Sequence, residues 1–462
     1  MRQRSTDFTT GSIPLHLLRF SIPMLLGSLL QALYNTVDSI WVGKFVGTAG
    51  LGAVSVSFPI IFILIAMVTG VSIAATAIVS QYFGYGQPEM VRKAAVNTVT
   101  LLGIMGLVAT LIGVGLHRWV LELMGTPKDV MVEASNYLRI FCAGLLFAFE
   151  YNGLSSIFRG VGDSRTPLAA LAYATILNIV LDPLMIYGVR PFPRMGIAGA
   201  AWATVISQAL SCFLLILWAG NVNPAFAGIF RELKTFPDLT RATLRIGLPS
   251  GIQQSIVSLS ALVVTSTVTP FGSKLVAAFG AASRLDQFAS LPSLSLGMAV
   301  SALVGQNLGA NKDERVKEIV KWAIGLSVLI TGVITLVAVF RPTSLLALFT
   351  DDQDVLRYGS EYLGIVALSY IPFGCMIVTN GVLRGAGDTL PTAIISTLTL
   401  WLIRVPLARL LSTRYGMGPR GVWIAMALSP LVGVIASGAY YATGRWKSKV
   451  LVRRGPELGE IN

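Results

Sequence analysis

An all-α membrane protein, with twelve transmembrane helices in two six-helix lobes related by a pseudo-two-fold axis along the membrane normal, is the fold this chain predicts. Three observations lead there. Of its 462 residues, 54% are hydrophobic and 12% charged, with a mean hydropathy of +0.72, which is more apolar surface than one soluble core can use. Roughly twelve runs are apolar over the ~20 residues that a spanning helix needs. Finally, Gln81, Gly84, Arg159 and Asp163 recur as Gln306, Gly309, Arg384 and Asp388, each pair 225 apart (306−81, 309−84, 384−159, 388−163). Two copies of one unit therefore make up the chain. An even number of spans in each copy gives both the same orientation, as in parallel repeats.

The first copy holds runs near 14–40, 50–77, 94–116, 131–157, 166–187 and 196–219. Its opening dozen residues are polar and lead into a run too long, and wrongly flanked, for a cleaved signal peptide, so the chain is expected to enter the membrane uncleaved. Pro23 lies in the first run and Pro183 in the fifth. A proline within a helix removes one backbone bond and frees the carbonyl four residues earlier, which for Pro183 belongs to Ile179. Arg159-Gly160 and Gly162-Asp163, with their second-copy partners, read as glycine-capped helix ends with charge anchors. From Gly220 to about Arg241 the chain carries Asn223-Pro224, Pro237 and mixed charge, a cytoplasmic linker that need only join the lobes. The expected division is an N-terminal lobe at 1–220, a linker at 221–241 and a C-terminal lobe at 242–462. The second copy holds runs near 242–267, 276–301, 318–340, 356–380, 390–412 and 420–442, with Pro249 and Pro406 at matching places (249−23 is 226, 406−183 is 223).

Of the 35 Lys and Arg residues, 21 fall at the two ends and in the even-numbered loops, and basic residues in short loops stay cytoplasmic. Both termini are therefore expected in the cytoplasm, with the chain multi-pass in the plasma (inner) membrane. The formal charge of +13 then faces anionic headgroups, and no nucleic-acid partner is called for. Cys142, Cys212 and Cys375 are odd in number and scattered through apolar runs, which fits small buried side chains and neither a disulfide nor a metal framework. No glycine-rich loop ends in Gly-Lys-Ser/Thr. His16 and His117 lie near opposite membrane faces, and no Ser or Cys has a base in reach. An enzyme is not expected, and no cofactor.

The acids carry the signal. A carboxylate at membrane depth costs some 2.5–3.5 kcal/mol on insertion scales and is retained mainly against a partner or a wet cavity. Gln31, Asn35 and Asp38 fall at i, i+4 and i+7, one polar stripe on the first helix; Asn178 and Asp182 fall at i, i+4 on the fifth. If these helices meet, they form an oxygen-rich pocket suited to a proton or a small hard cation. The aligned stretches near Val264 and Val405 are apolar, so the pocket belongs to the first copy alone. Asp286 is a further candidate for ion or substrate contact. Glu150 lies within reach of the cytoplasmic end, where a solvated position competes with a role. Arg284, two residues from Asp286, cannot share its helix face, and Arg404 is expected to snorkel or to pair with a helix-end carbonyl.

Leu33-Tyr34-Asn35-Thr36-Val37-Asp38, the paired Gln-x-x-Gly and Arg-Gly-x-Gly-Asp turns, and Asn178 to Pro183 together resemble the multidrug and toxic compound extrusion (MATE) family over essentially the full length, with a branch similar to DinF-like transporters nearest. The resemblance implies a monomeric antiporter in the lipid bilayer that exports cationic amphipathic organic compounds in exchange for H⁺ or Na⁺. By position it implies cation coupling at Asp38, Asn178, Asp182 and Thr204, Na⁺ being the one metal ion that Asp38, Asn178 and Asp182 could hold. It places Gln31 and Asn152 on the first-lobe cavity; with Asn35 and Asp286 they complete the candidate substrate contacts. Some members of the family also bind their ion through second-lobe acids, whereas here Gln253 and Gln254 occupy the seventh run and Gly364 to Asn380 holds no acid. The rival expectation is a flippase for lipid-linked oligosaccharides, whose anionic cargo would call for a cavity rich in Arg and Lys.

Overall fold

The computed structural model describes residues 5–452, which leaves Arg2, Arg4, Arg453 and Arg454, four of the basic residues that set the expected orientation, outside the described residues. In chain order the helices are α1 (Ile13–Phe45), α2 (Thr48–Tyr85), α3 (Pro88–Leu123), α4 (Lys128–Ala143), α5 (Leu145–Gly160), α6 (Arg165–Tyr187), α7 (Ile197–Val222), α8 (Pro237–Val268), α9 (Ser273–Gly309), α10 (Asp313–Phe340), α11 (Pro342–Leu346), α12 (Gln353–Val366), α13 (Tyr370–Gly385), α14 (Leu390–Thr397), α15 (Val405–Arg409) and α16 (Pro419–Ala442). Among the described residues there is no strand. Eleven helical stretches among the described residues are long and apolar enough to cross a membrane, or twelve when the bent pair α4–α5 is one span. Many large apolar side chains, Leu111, Phe213 and Ile435 among them, are exposed along these helices, as befits a multi-pass membrane protein whose solvent is lipid.

Two departures from straight helices have local causes. The expected run at 131–157 is bent by 46° between α4 and α5. Gly144 sits at the break, its N–H bonding back to Phe141 O at 3.0 Å, and a Cβ there would lie 2.5 Å from Val205 Cγ2 on α7; the bend brings the backbone onto its neighbour at a point only glycine allows. The run at 390–412 contains Pro406, and widened π turns at Leu398–Arg404 and Leu410–Arg414 flank the short helix that carries it. Such turns accommodate the backbone hydrogen bond that proline, without an N–H, cannot make.

The chain separates into two compact units, residues 5–7 with Ile22–Leu248, and Phe8–Ser21 with 249–452. Thus α1 and α8 each change unit beside their prolines, Pro23 and Pro249. In the second unit the segment before α1 is held by side chains at the α9–α10 turn: Gln306 Oε1 accepts from Phe8 N at 2.9 Å, and Arg315 Nη2 donates to Thr10 O and Gly11 O at 2.8 and 2.7 Å.

The repeated turns have matching geometry. Gly162 and Gly387 have φ of 82° and 81°, a left-handed conformation that favours glycine. Asp163 accepts the backbone N–H of Arg165 and Thr166 at 2.9 and 3.1 Å at the start of α6, meeting donors that a helix start leaves open. Its counterpart Asp388 accepts from the Tyr440 hydroxyl at 2.6 Å.

The expected linker is more than a tether. Within the first unit, 3-10 turns at Pro224–Phe226 and Ile229–Arg231 lie along α3. Fully buried Phe226 stacks on Phe158 with centroids 5.8 Å apart. Arg92 donates to Ala225 O and Ala227 O at 2.9 and 2.8 Å and pairs with Glu232 at 2.7 Å. Asn97 Oδ1 accepts from Phe236 N and from the Thr240 hydroxyl, both at 2.8 Å.

Candidate functional site: a buried oxygen cluster in the first unit

α1 and α6 run side by side in the same direction. Gly27 faces Leu168 and Leu171, and Phe45 meets Tyr187 edge-on at 5.6 Å. The offsets (168−27 is 141, 187−45 is 142) set Asp38 level with residues 179 and 180, within a turn of Asp182. Val42, Ile186 and Ala200 close the packing just beyond, with Trp41 and Phe45 against them. Asp38 is consequently 8% exposed and Asp182 fully buried.

Each buried polar group would ordinarily be hydrogen-bonded, yet here several are not. Asn178 Nδ2 donates to Asp182 Oδ1 at 3.1 Å. Asp182 Oδ2, Asn178 Oδ1, Asp38 Oδ1 and the Tyr34 hydroxyl have no partner. Asp38 and Asp182 are near enough for their charges to act on one another, and the Tyr34 and Tyr137 rings lie within reach of both. Buried Thr204 on α7 sits beside Tyr34, whose hydroxyl makes no hydrogen bond of normal geometry. The result is two carboxylates, an amide oxygen and phenol oxygens with no Lys or Arg among them. Chemically it can bind a cation with oxygen ligands or hold protons, and it cannot satisfy itself.

The structure brings together Asp38, Asn178, Asp182 and Thr204. Gln31 and Asn35 lie apart from this group: both are exposed, with Gln31 Nε2 donating to Asn35 Oδ1 at 3.4 Å. Asn152 is half-buried, its amide returned to Ala148 O at 2.8 Å. Tyr34 and Tyr137 were missing from the sequence reading; Tyr34 stood within the quoted motif, three residues before Asp38, whereas Tyr137 gave no signal, since only the bend at Gly144 and the packing of α4 bring it near.

Glu150 departs from the solvated alternative. It is 8% exposed, set between α3 and α7 beside Gly103 and Cys212, and its Oε2 has no partner. Gln253 on α8 is tied into the helix packing: Nε2 donates to Ser396 Oγ at 2.6 Å and to Thr392 O at 3.2 Å, while Oε1 accepts from Arg384 at 3.2 Å. Asp286, half-buried on α9, accepts the hydroxyls of Tyr362 and Tyr370. Arg284 is exposed. Arg404, expected to snorkel or to pair with a helix-end carbonyl, donates from Nε to Ser429 Oγ at 2.7 Å.

A duplicated all-helical membrane fold with two units, and with unpaired acids buried in the first alone, defines a class of polytopic carrier proteins. The chain belongs to the MatE family, whose model matches residues 23–184 and again 249–410; the two matches are offset by 226 (249−23 and 410−184), which recovers the repeat. It is 32% identical over 437 residues to the probable multidrug resistance protein YoeA of Bacillus subtilis (strain 168), covering 94% of each chain, and 26% identical over 437 residues to an FAD transporter of Shewanella oneidensis, covering 93% of this chain and 94% of that one. Among solved structures it is similar to the outward-facing conformation of a multidrug resistance MATE family transporter of the MOP superfamily, with a TM-score of 0.89 at 24% identity over 97% of this chain and 99% of the other.

Proposed function

We propose that the chain is a secondary active efflux transporter of the plasma membrane, exporting cationic amphipathic organic compounds in exchange for H⁺ or Na⁺ by alternating access. The observation that carries this reading is the set of unpartnered oxygens on Asp38, Asn178, Asp182 and Tyr34, a cluster that gains from binding a cation what it otherwise loses to burial. Asp38 and Asp182 take the coupling ion, Asn178 holds one Asp182 oxygen in place, and Thr204 lies at the rim. Gln31, Asn35 and Asn152 face the drug. Ion and drug then compete, because each is bound by a different shape of the same unit. Relatives named as probable multidrug resistance proteins support drug export.

The test is export of a fluorescent organic cation from proteoliposomes under an imposed proton or sodium gradient. Uphill movement by the native chain and its loss in Asp38→Asn are expected; movement that only follows the dye's own gradient, or an Asp38→Asn variant as active as the native chain, sinks the reading.

A further inference from the structure

The second unit holds charges of a different kind. Asp286 receives one tyrosine hydroxyl on each carboxylate oxygen, from Tyr362 on α12 and Tyr370 on α13. Arg404, the last residue of the Leu398–Arg404 π turn, lies near enough for its charge to act on Asp286 and on Tyr362. It makes no direct ion pair with that carboxylate; among the described residues its hydrogen bond is the one from Nε to Ser429 Oγ. Both Nη groups are left open on a half-buried side chain in a spanning segment, where an arginine without partners is as costly as an acid without them.

The first-unit cluster is purely acidic, so a simple cation suits it. The second-unit pair sums to no net charge. A simple cation approaching it meets the attraction of Asp286 and the repulsion of Arg404 together, and gains little. A ligand that carries both signs meets both groups favourably, and the free fork of the guanidinium matches the paired oxygens of a carboxylate or phosphate. The tyrosines hold Asp286 so that it does not swing across to close on Arg404.

Resting on the transport reading above, we propose that Asp286 and Arg404 form a dipolar site for small zwitterionic organic compounds and not for membrane lipid, the anionic group on the Arg404 Nη nitrogens and the cationic group towards Asp286. At this site Arg404 decides between a zwitterion and a simple cation.

Binding to the purified full-length protein in lipid-free detergent tests this without any gradient, so it reads the site even if the protein exports nothing. The probes are a zwitterionic fluoroquinolone, the simple cation ethidium and a short-chain phosphatidylcholine. Arg404→Gln is expected to weaken fluoroquinolone binding about tenfold or more and to leave ethidium binding unchanged or stronger, since the repulsion is lost with the guanidinium. Arg404→Lys, which keeps the charge and loses the fork, weakens it by less, again with ethidium spared, and carries the test if Arg404→Gln does not fold. Ser429→Ala, which removes the Nε bond and leaves the Nη groups, keeps the native preference. Equal weakening for fluoroquinolone and ethidium, no weakening in either arginine variant, or an effect of Ser429→Ala as large as that of Arg404→Gln overturns the proposal. So does an arginine-dependent site that takes phosphatidylcholine and not the fluoroquinolone, since the ligand would then be a lipid headgroup.

Discussion

The side-chain amide of Asn178 donates to Asp182 Oδ1 at 3.1 Å, one helical turn further along α6. This bond uses the donor of one residue and a single oxygen of the other, and turns the remaining oxygens, Asn178 Oδ1 and Asp182 Oδ2, towards no partner. Such an arrangement orients acceptors without satisfying them.

If those acceptors serve a cation, the Tyr34 hydroxyl, also unpartnered, is a further ligand. Tyr34→Phe removes a buried polar group that has no hydrogen bond to lose, so the variant should be as stable as the native chain in ion-free buffer or more stable by about 1 kcal/mol. Its export should need roughly tenfold more coupling ion for half-maximal rate. Thermal unfolding in detergent together with ion-dependent dye export checks both; a clear loss of stability with unchanged ion dependence would show the hydroxyl to be structural.

The bend at Gly144 is a packing requirement. Gly144→Ala would set a methyl 2.5 Å from Val205 Cγ2 and 3.1 Å from its Cβ, against a β-branched side chain with little rotamer freedom. A destabilisation of about 1–3 kcal/mol is expected, relieved when Val205→Ala is added. Unfolding midpoints of the single and double variants give the answer, and absence of rescue would place the strain elsewhere.

The strap at 224–236 should respond to acid. A hydrogen bond from Arg92, with its positive charge, holds the Glu232 carboxyl below the ordinary glutamate range. A value lowered by folding means that the pair's contribution is present at neutral pH and is lost as pH falls through the lowered value. Amide exchange in 224–236 should accelerate on acidification into and below the ordinary glutamate range once the intrinsic pH dependence of exchange is removed, and Glu232→Gln should abolish the change. The Arg92 bonds to Ala225 O and Ala227 O involve no acid, so the strap should loosen and not detach.

Much of this architecture could be read from residue order alone. Twelve apolar runs, a duplication at 225, glycine-capped turns at Gly162 and Gly387, and the Asp38 and Asp182 pair found in one copy only each follow from composition, spacing or turn chemistry, which act locally along the chain. Which way a spanning helix faces is another matter. In water a polar stripe marks the outside, but a helix in lipid is apolar on its outer and inner faces alike, so periodicity says little about burial. Gln31, Asn35 and Asp38 stand on one stripe, yet of the three only Asp38 is enclosed, where Val42, Ile186 and Ala200 pack just beyond it. Tyr137 entered the picture, and Glu150 and Arg404 gained their surroundings, for the same reason: packing between helices far apart in the chain brings them to their places, and the single chain carries no mark of those neighbours.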